Sequence, residues 1–176
     1  MTDGTALREI AAEILTEILE KGQYTHLALF QALSKYQYLE KSDRSFLKQI
    51  VDGTVEYKIQ IDYIINAYSK TKVHKMKPFI RTLLRMSVYQ IYYMDRVPDS
   101  AACNEAVRLA KKRGFSGLSG FVNGVLRSVA RGKGKLTFPD DSVRYSMPDW
   151  ILSLWKENYG AETTHRMAQA GLEKRP

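Results

Sequence analysis

A chain of 176 residues with 44% apolar and 26% charged side chains can bury a real core, and no stretch approaches the ~18 consecutive apolar residues of a membrane span. One cysteine, Cys103, excludes an internal disulfide framework, and three scattered histidines without Cys or His neighbours at ligand spacing argue against a structural metal. The net charge of +8 is concentrated: residues 70–135 hold 15 Lys and Arg against three acids, a local +12, while the remainder sums to −4. Such a field attracts a polyanion, with RNA, DNA or an anionic membrane all open and solubility as the blander use.

The opening MTDGTALREIAAEIL lacks the basic start and continuous apolar stretch of a signal peptide, so a cytoplasmic protein is expected. Its Leu7, Ile10, Ala11, Ile14, Leu15 and Ile18 instead form one helical stripe, which Gly22 can stop. A second helix is predicted over Tyr24 to Tyr38 with Leu27, Phe30 and Leu33 inward. A third, capped by Ser42 or Asp43, carries Phe46, Leu47, Ile50, Val51 and Tyr57 on a broad apolar arc that predicts a central position. Gly53 inside it costs about 0.5–1 kcal/mol relative to alanine, so close packing against another helix is the expected reason.

A short fourth helix with Ile61, Ile64, Ile65 and Tyr68 leads into the basic connector KTKVHKMKP. Pro78 suits the first turn of the fifth, whose Arg81, Arg85, Tyr89 and Tyr92 share a face that is either a basic aromatic surface or a second buried side. After Val97-Pro98, with Asp99 or Ser100 as cap, a sixth helix turns Ala102, Ala106, Leu109 and Ala110 inward and Arg108, Lys111 and Lys112 outward until Gly114. The GFSGLSG segment reads as flexible turns, and a seventh helix from Phe121 stacks Arg127 and Arg131 away from its apolar face. RGKGK is a glycine-broken linker. Beyond it, Ser146-Met147-Pro148-Asp149 starts a short helix with Trp150, Ile151, Leu154 and Trp155 as anchors, ended by Tyr159-Gly160, and Ala161 to Leu172 can form another. These aromatics ask for a partner surface, either the bundle or a further domain.

No glycine-rich phosphate loop, zinc-protease, paired-cysteine or nucleophile-elbow pattern occurs. Cys103 sits on the inward side of a small-residue helix and reads as a packed thiol. No catalytic residue, metal ligand or cofactor-binding residue is therefore assigned in this chain. RNA-binding candidates are Arg8 on the first helix, Lys72, Lys75 and Lys77 on the connector, Arg81, the outward Arg108, Lys111 and Lys112, and Arg127 with Arg131.

Several phrases in order resemble the NusB fold: Arg8-Glu9-Ile10-Ala11, Phe46 through Val51-Asp52-Gly53, Ile61-Asp62, and Leu84-Arg85 through Tyr89-Gln90. Val97-Pro98, Asn104-Glu105-Ala106-Val107 with Leu109-Ala110-Lys111, and Phe121-Val122-Asn123-Gly124-Val125-Leu126 match it more specifically. The resemblance covers residues 6 to about 131 and implies an all-α, RNA-binding bundle of about seven helices. Ser146-Met147-Pro148-Asp149-Trp150-Ile151, Trp155, Tyr159-Gly160 and Glu162 resemble the segment after the NusB-like domain in the Sun/Fmu (RsmB) family. That family methylates C5 of a cytosine in small-subunit ribosomal RNA with S-adenosylmethionine.

The resemblance implies a NusB-like RNA-binding domain over 1–135 and the start of a further helical domain over 136–176, belonging to a longer enzyme. Its catalytic Pro-Cys and Thr-Cys motifs have no counterpart here, and Cys103 matches neither. The cofactor S-adenosylmethionine would belong to the parent; the partners would be ribosomal RNA and the catalytic domain, with a homodimer also compatible and no membrane. A NusB-type antitermination factor acting with a ribosomal protein is the alternative, and a domain that only docks the rest of an enzyme is a third.

Overall fold

The computed structural model describes residues 3–173, and all its regular structure is helical. Seven helices make the main body: α1 Gly4–Leu19, α2 Thr25–Lys35, α3 Lys41–Glu56, α4 Lys58–Tyr68, α5 Pro78–Tyr93, α6 Asp99–Lys112 and α7 Ser119–Arg131. The extension adds α8 Asp141–Tyr145, α9 Asp149–Tyr159 and α10 Ala161–Glu173, and short 3₁₀ turns occupy Val73–Lys75 and Ser116–Leu118. The fold is all-α, as expected from the helical periodicity. No helix among the described residues is long and apolar enough to cross a membrane.

The α1 stripe is buried from Leu7 through Leu15, and Gly22 at φ +76° turns the chain after it. The central helix is α5 rather than α3. Every residue from Thr82 to Ile91 is buried, and α5 packs against α1, α3, α4, α6 and α7. Its buried Thr82, Ser87 and Gln90 break the apolar pattern that would have marked it. The tyrosines of α5 join the core: Tyr89 and Tyr93 cluster with Tyr57 of α3, Tyr57 and Tyr93 stacking at 4.2 Å between centroids. Gly53 lies directly under Tyr89, whose ring occupies the place a Cβ would take.

The structure corrects the sequence expectation at several places. In α2 the buried residues are Ala28 and Leu29, while Phe30 is 69% exposed; the small Ala28 and Ala32 are what let this helix lie close to Ile10 and Ile14 of α1. Ser42 and Asp43 lie inside the first turn of α3, and α6 starts at Asp99 with no side-chain cap, after Pro98. The basic connector is pinned to the body, because Val73 and Met76 are buried and the Val73 amide donates to Asn66 Oδ1 at 2.9 Å. GFSGLSG likewise forms a 3₁₀ turn running into α7.

The extension docks on α4. Gln60 donates to the carbonyls of Val143 and Arg144 at 3.4 and 3.1 Å and accepts from Tyr93 Oη. Asp140 caps α8 through the Val143 amide at 3.0 Å, a helix the sequence did not announce. Tyr145 hydrogen-bonds His165, tying α8 to α10 around a small cluster of Tyr145, Leu152 and Ala168. The anchor of α9 is therefore Leu152, and the expected anchors Trp150 and Leu154 are exposed. Leu152→Ala should loosen the extension by about 2 kcal/mol, and Trp150→Ala should change its stability by less than about 0.5 kcal/mol. Hydrogen exchange in residues 141–171 would read both; equal protection loss in the two variants would contradict this packing.

Candidate nucleic-acid interface

The two most specific sequence phrases meet in space. Asn104, Val107, Arg108 and Lys111 of α6 and Ser119, Gly120, Asn123 and Arg127 of α7 line one open groove. Arg127 donates to Asn104 Oδ1 at 2.8 Å and to Asn123 Oδ1 at 3.2 Å. Both acceptors are neutral, so the guanidinium is oriented without its charge being cancelled. Asn104 thus bridges α6 to α7, Asn123 acts within α7, and together they present a cation. Arg108 pairs with Glu105 at 3.1 Å but remains 67% exposed along its side chain. Lys111 has no carboxylate partner among the described residues.

A second depression lies on the other side of the start of α7, where Thr71, Lys75, Met76, Lys77 and Ile80 face Leu118 and Phe121. The buried Val73 and Met76 pin the connector there and leave Lys72, Lys75 and Lys77 exposed. Arg131 is exposed at the end of α7.

Three sequence candidates are engaged elsewhere. Arg8 is only 8% exposed: its Nε donates to Gln90 Oε1 at 2.8 Å and its guanidinium lies 5.2 Å from the Phe46 ring centre. Burial pushes its pKa down, against the pull of Glu105 and Asp3. Arg81 makes two hydrogen bonds to Glu20, and Lys112 pairs with Glu9 at 2.7 Å beside Arg113. Arg85, on the face left open between a basic aromatic surface and a buried side, is buried and bridges α5 to Asp62 of α4 at 2.8 and 3.0 Å. Sequence spacing places these residues on a face but does not say that an acid from another helix waits there. Arg8→Ala is accordingly expected to cost about 1–3 kcal/mol, since Gln90 Oε1 loses its donor, and to leave RNA affinity unchanged. Thermal unfolding and RNA titration of the variant read the two effects separately.

Glu20 is held below the usual carboxylate range by the hydrogen bond from Arg81, and Glu9 by the one from Lys112. The unfolded chain therefore binds protons first as pH falls. Their stabilisation is complete above the ordinary glutamate value of about 4.3 and is lost as pH drops through the lower folded values. Melting temperature measured from pH 6 downward should fall more gently in Glu20→Gln than in the parent protein. Cys103 is fully buried, and burial pushes its thiol up, as suits a packing residue.

The family model described as the NusB family matches residues 5–131. The chain belongs to the NusB family. This NusB-family chain is 37% identical to "Probable ribosomal RNA small subunit methyltransferase B" of Bacillus subtilis over 96% of its own length and 38% of the relative's. The protein of the same name from Synechocystis is 34% identical over 91% of this chain and 37% of its own. Transcription antitermination protein NusB of Symbiobacterium thermophilum is 34% identical over 77% of this chain and 94% of its own length. The chain thus spans a little over a third of the methyltransferases it matches and nearly all of the antitermination protein.

Among solved structures, NusB in a complex of antitermination factors NusB and NusE with double-stranded RNA superposes with a TM-score of 0.67 at 21% identity. That match covers 73% of this chain and 96% of the other. PH0851 superposes over 93% of this chain and 38% of its own, with a TM-score of 0.71 at 17% identity. The first shares the NusB fold, and the second match reaches into the extension as well.

Proposed function

We propose that this chain is the RNA-holding domain of a small-subunit ribosomal RNA cytosine-C5 methyltransferase. The observation that carries this reading is the 37% identity to a methyltransferase over 96% of the chain, extension included. The antitermination relative leaves nearly a quarter of the chain unmatched, so the NusB-type antitermination reading leaves α8 to α10 unexplained. Residues 1–135 serve as the RNA-binding unit, and 136–176 lead toward the catalytic part, the second partner after the RNA. The protein works in the cytoplasm, where its substrate is made.

Its contribution to the reaction is positioning. Arg108, Lys111 and Arg127, with Lys72, Lys75, Lys77 and Arg131 nearby, neutralise phosphates and set the orientation of the RNA. Two neutral asparagine acceptors hold Arg127 ready, which reduces the ordering cost of the contact. The described residues have no strand-to-helix glycine loop of the kind that seats a nucleotide-like cofactor. This reading assigns S-adenosylmethionine to the part of the methyltransferase that the chain does not match.

Titration of labelled small-subunit ribosomal RNA fragments at several salt concentrations tests the reading. Affinity should fall steeply as salt rises, because each phosphate contact releases counterions. Absence of binding, or binding indifferent to salt, would overturn it.

A further inference from the structure

Several basic residues without a carboxylate partner among the described residues line the two flanks of α7. Tyr68 Oη, at the end of α4, donates to the Gly132 carbonyl at 3.3 Å, just past the C-terminal end of α7. Thr71, Lys75 and Lys77 face Leu118 and Phe121 at its N-terminal end. The connector therefore reaches from one end of α7 to the other, and its exposed Lys70, Lys72, Lys75 and Lys77 form a rail beside that helix. The opposite flank carries Arg108, Lys111 and Arg127. Arg131, Lys133 and Lys135 continue the charge at the exit of α7. None of the connector lysines nor Lys111, Arg127, Arg131, Lys133 or Lys135 has a carboxylate partner among the described residues.

Between the two rails α7 turns Gly120 and Gly124 outward, with half-buried Ser128 one turn on, so the helix presents a low ridge up to Arg131 at its end. A Cβ at Gly120 or Gly124 would meet nothing within 4 Å, so internal packing does not require either glycine. The thirteen residues of α7 make the ridge about 20 Å long. Aromatic rings that could stack on an unpaired base are not exposed on it. Phe79 and Phe115 stack on each other, and Phe121 packs against the core, while the exposed Tyr24, Phe30, Tyr38, Trp150 and Tyr159 lie on α2, α9 and the segments beside them. Single strands are held by charge combined with stacking platforms, whereas RNA helices are read through both backbones and shape.

We propose that the α7 ridge and its two rails form a cradle for an RNA double helix, one phosphate backbone on each rail and the ridge facing the groove between them. This rests on the RNA-binding reading above and adds the form of the RNA and the Lys70–Lys77 rail. The ligand is a paired segment of the RNA, bound with little regard to sequence.

The test compares a hairpin with a stem of about 16 base pairs and an unpaired strand of the same length, titrated against the whole chain. The hairpin should bind at least about tenfold tighter at low salt, and reversing Lys70, Lys72, Lys75 and Lys77 to glutamate should make its salt dependence shallower by about 3 units of log–log slope. Gly124→Gln should raise the melting temperature slightly, because helix propensity improves, and yet weaken hairpin binding by crowding the ridge. An unpaired strand that binds as well as the hairpin overturns the cradle while leaving the RNA reading intact. So does undiminished hairpin binding by the charge-reversed chain or by Gly124→Gln. If neither RNA binds, both readings fail together.

Discussion

Replacing Gly53 with alanine is expected to destabilise the protein by about 2–3 kcal/mol, although alanine is the better helix former. The added methyl would enter the space of the Tyr89 ring, which is 3% exposed and lies against Tyr57 and Tyr93. Tyr89 cannot swing aside without displacing that cluster, so α3 and α5 must separate. The gain of about 0.5–1 kcal/mol from helix propensity offsets only part of this. Thermal unfolding should show a melting point lower by roughly 5–10 °C for a domain of this size. A variant that melts at or above the parent temperature would mean that Tyr89 relaxes freely. The exposed Gly124 is the internal control, since adding a side chain there meets no neighbour.

Removing the three cations of the α6–α7 groove together, as Arg108→Ala, Lys111→Ala and Arg127→Ala, is expected to weaken ribosomal RNA binding by roughly 100-fold at low salt. The log–log salt slope should become shallower by about 2–3. All three side chains project into an open groove, so the melting point should hardly move. Asn104→Ala separates orientation from charge: it frees Arg127 from one of its two acceptors while every cation remains. Affinity should drop several-fold with the salt slope unchanged. A parallel loss of slope would mean that Asn104 does something other than position Arg127, and unchanged affinity in the triple variant would remove the groove from the interface.

Much of the bundle was legible because its helices bury one face. The spacing of Leu7, Ile10, Ala11, Ile14 and Leu15 appears in the structure as the buried side of α1. Two kinds of helix escaped that logic. The stripe Leu27, Phe30, Leu33 satisfied the period on α2, yet the helix rests on alanines, because approach distance rather than side-chain size decides the contact with α1. The five-residue α8 is too short to show a period at all. For the proposed interface, charge density points to one third of the chain but does not tell exposed cations from those engaged within the fold. Arg8 and Arg81 meet partners more than 60 positions away in sequence, Gln90 and Glu20, and such engagement leaves no local signature. Lys70, Lys133 and Lys135 are drawn to one side of the molecule by the contact of Tyr68 with Gly132, which no local pattern encodes.

That contact also bears on how distance is set within the molecule. Gln60 near the start of α4 holds α8, and Tyr68 at its end holds Gly132, eight residues apart in one rigid element, about 12 Å along its axis. The separation between the end of α7 and the extension is therefore written in helix, with α4 as the ruler and its Tyr63, against Thr137 and Phe138, holding the segment between the two ends along it. Losing Gln60 would turn the ruler into a tether, and whatever the extension carries would drift relative to the cations of α7.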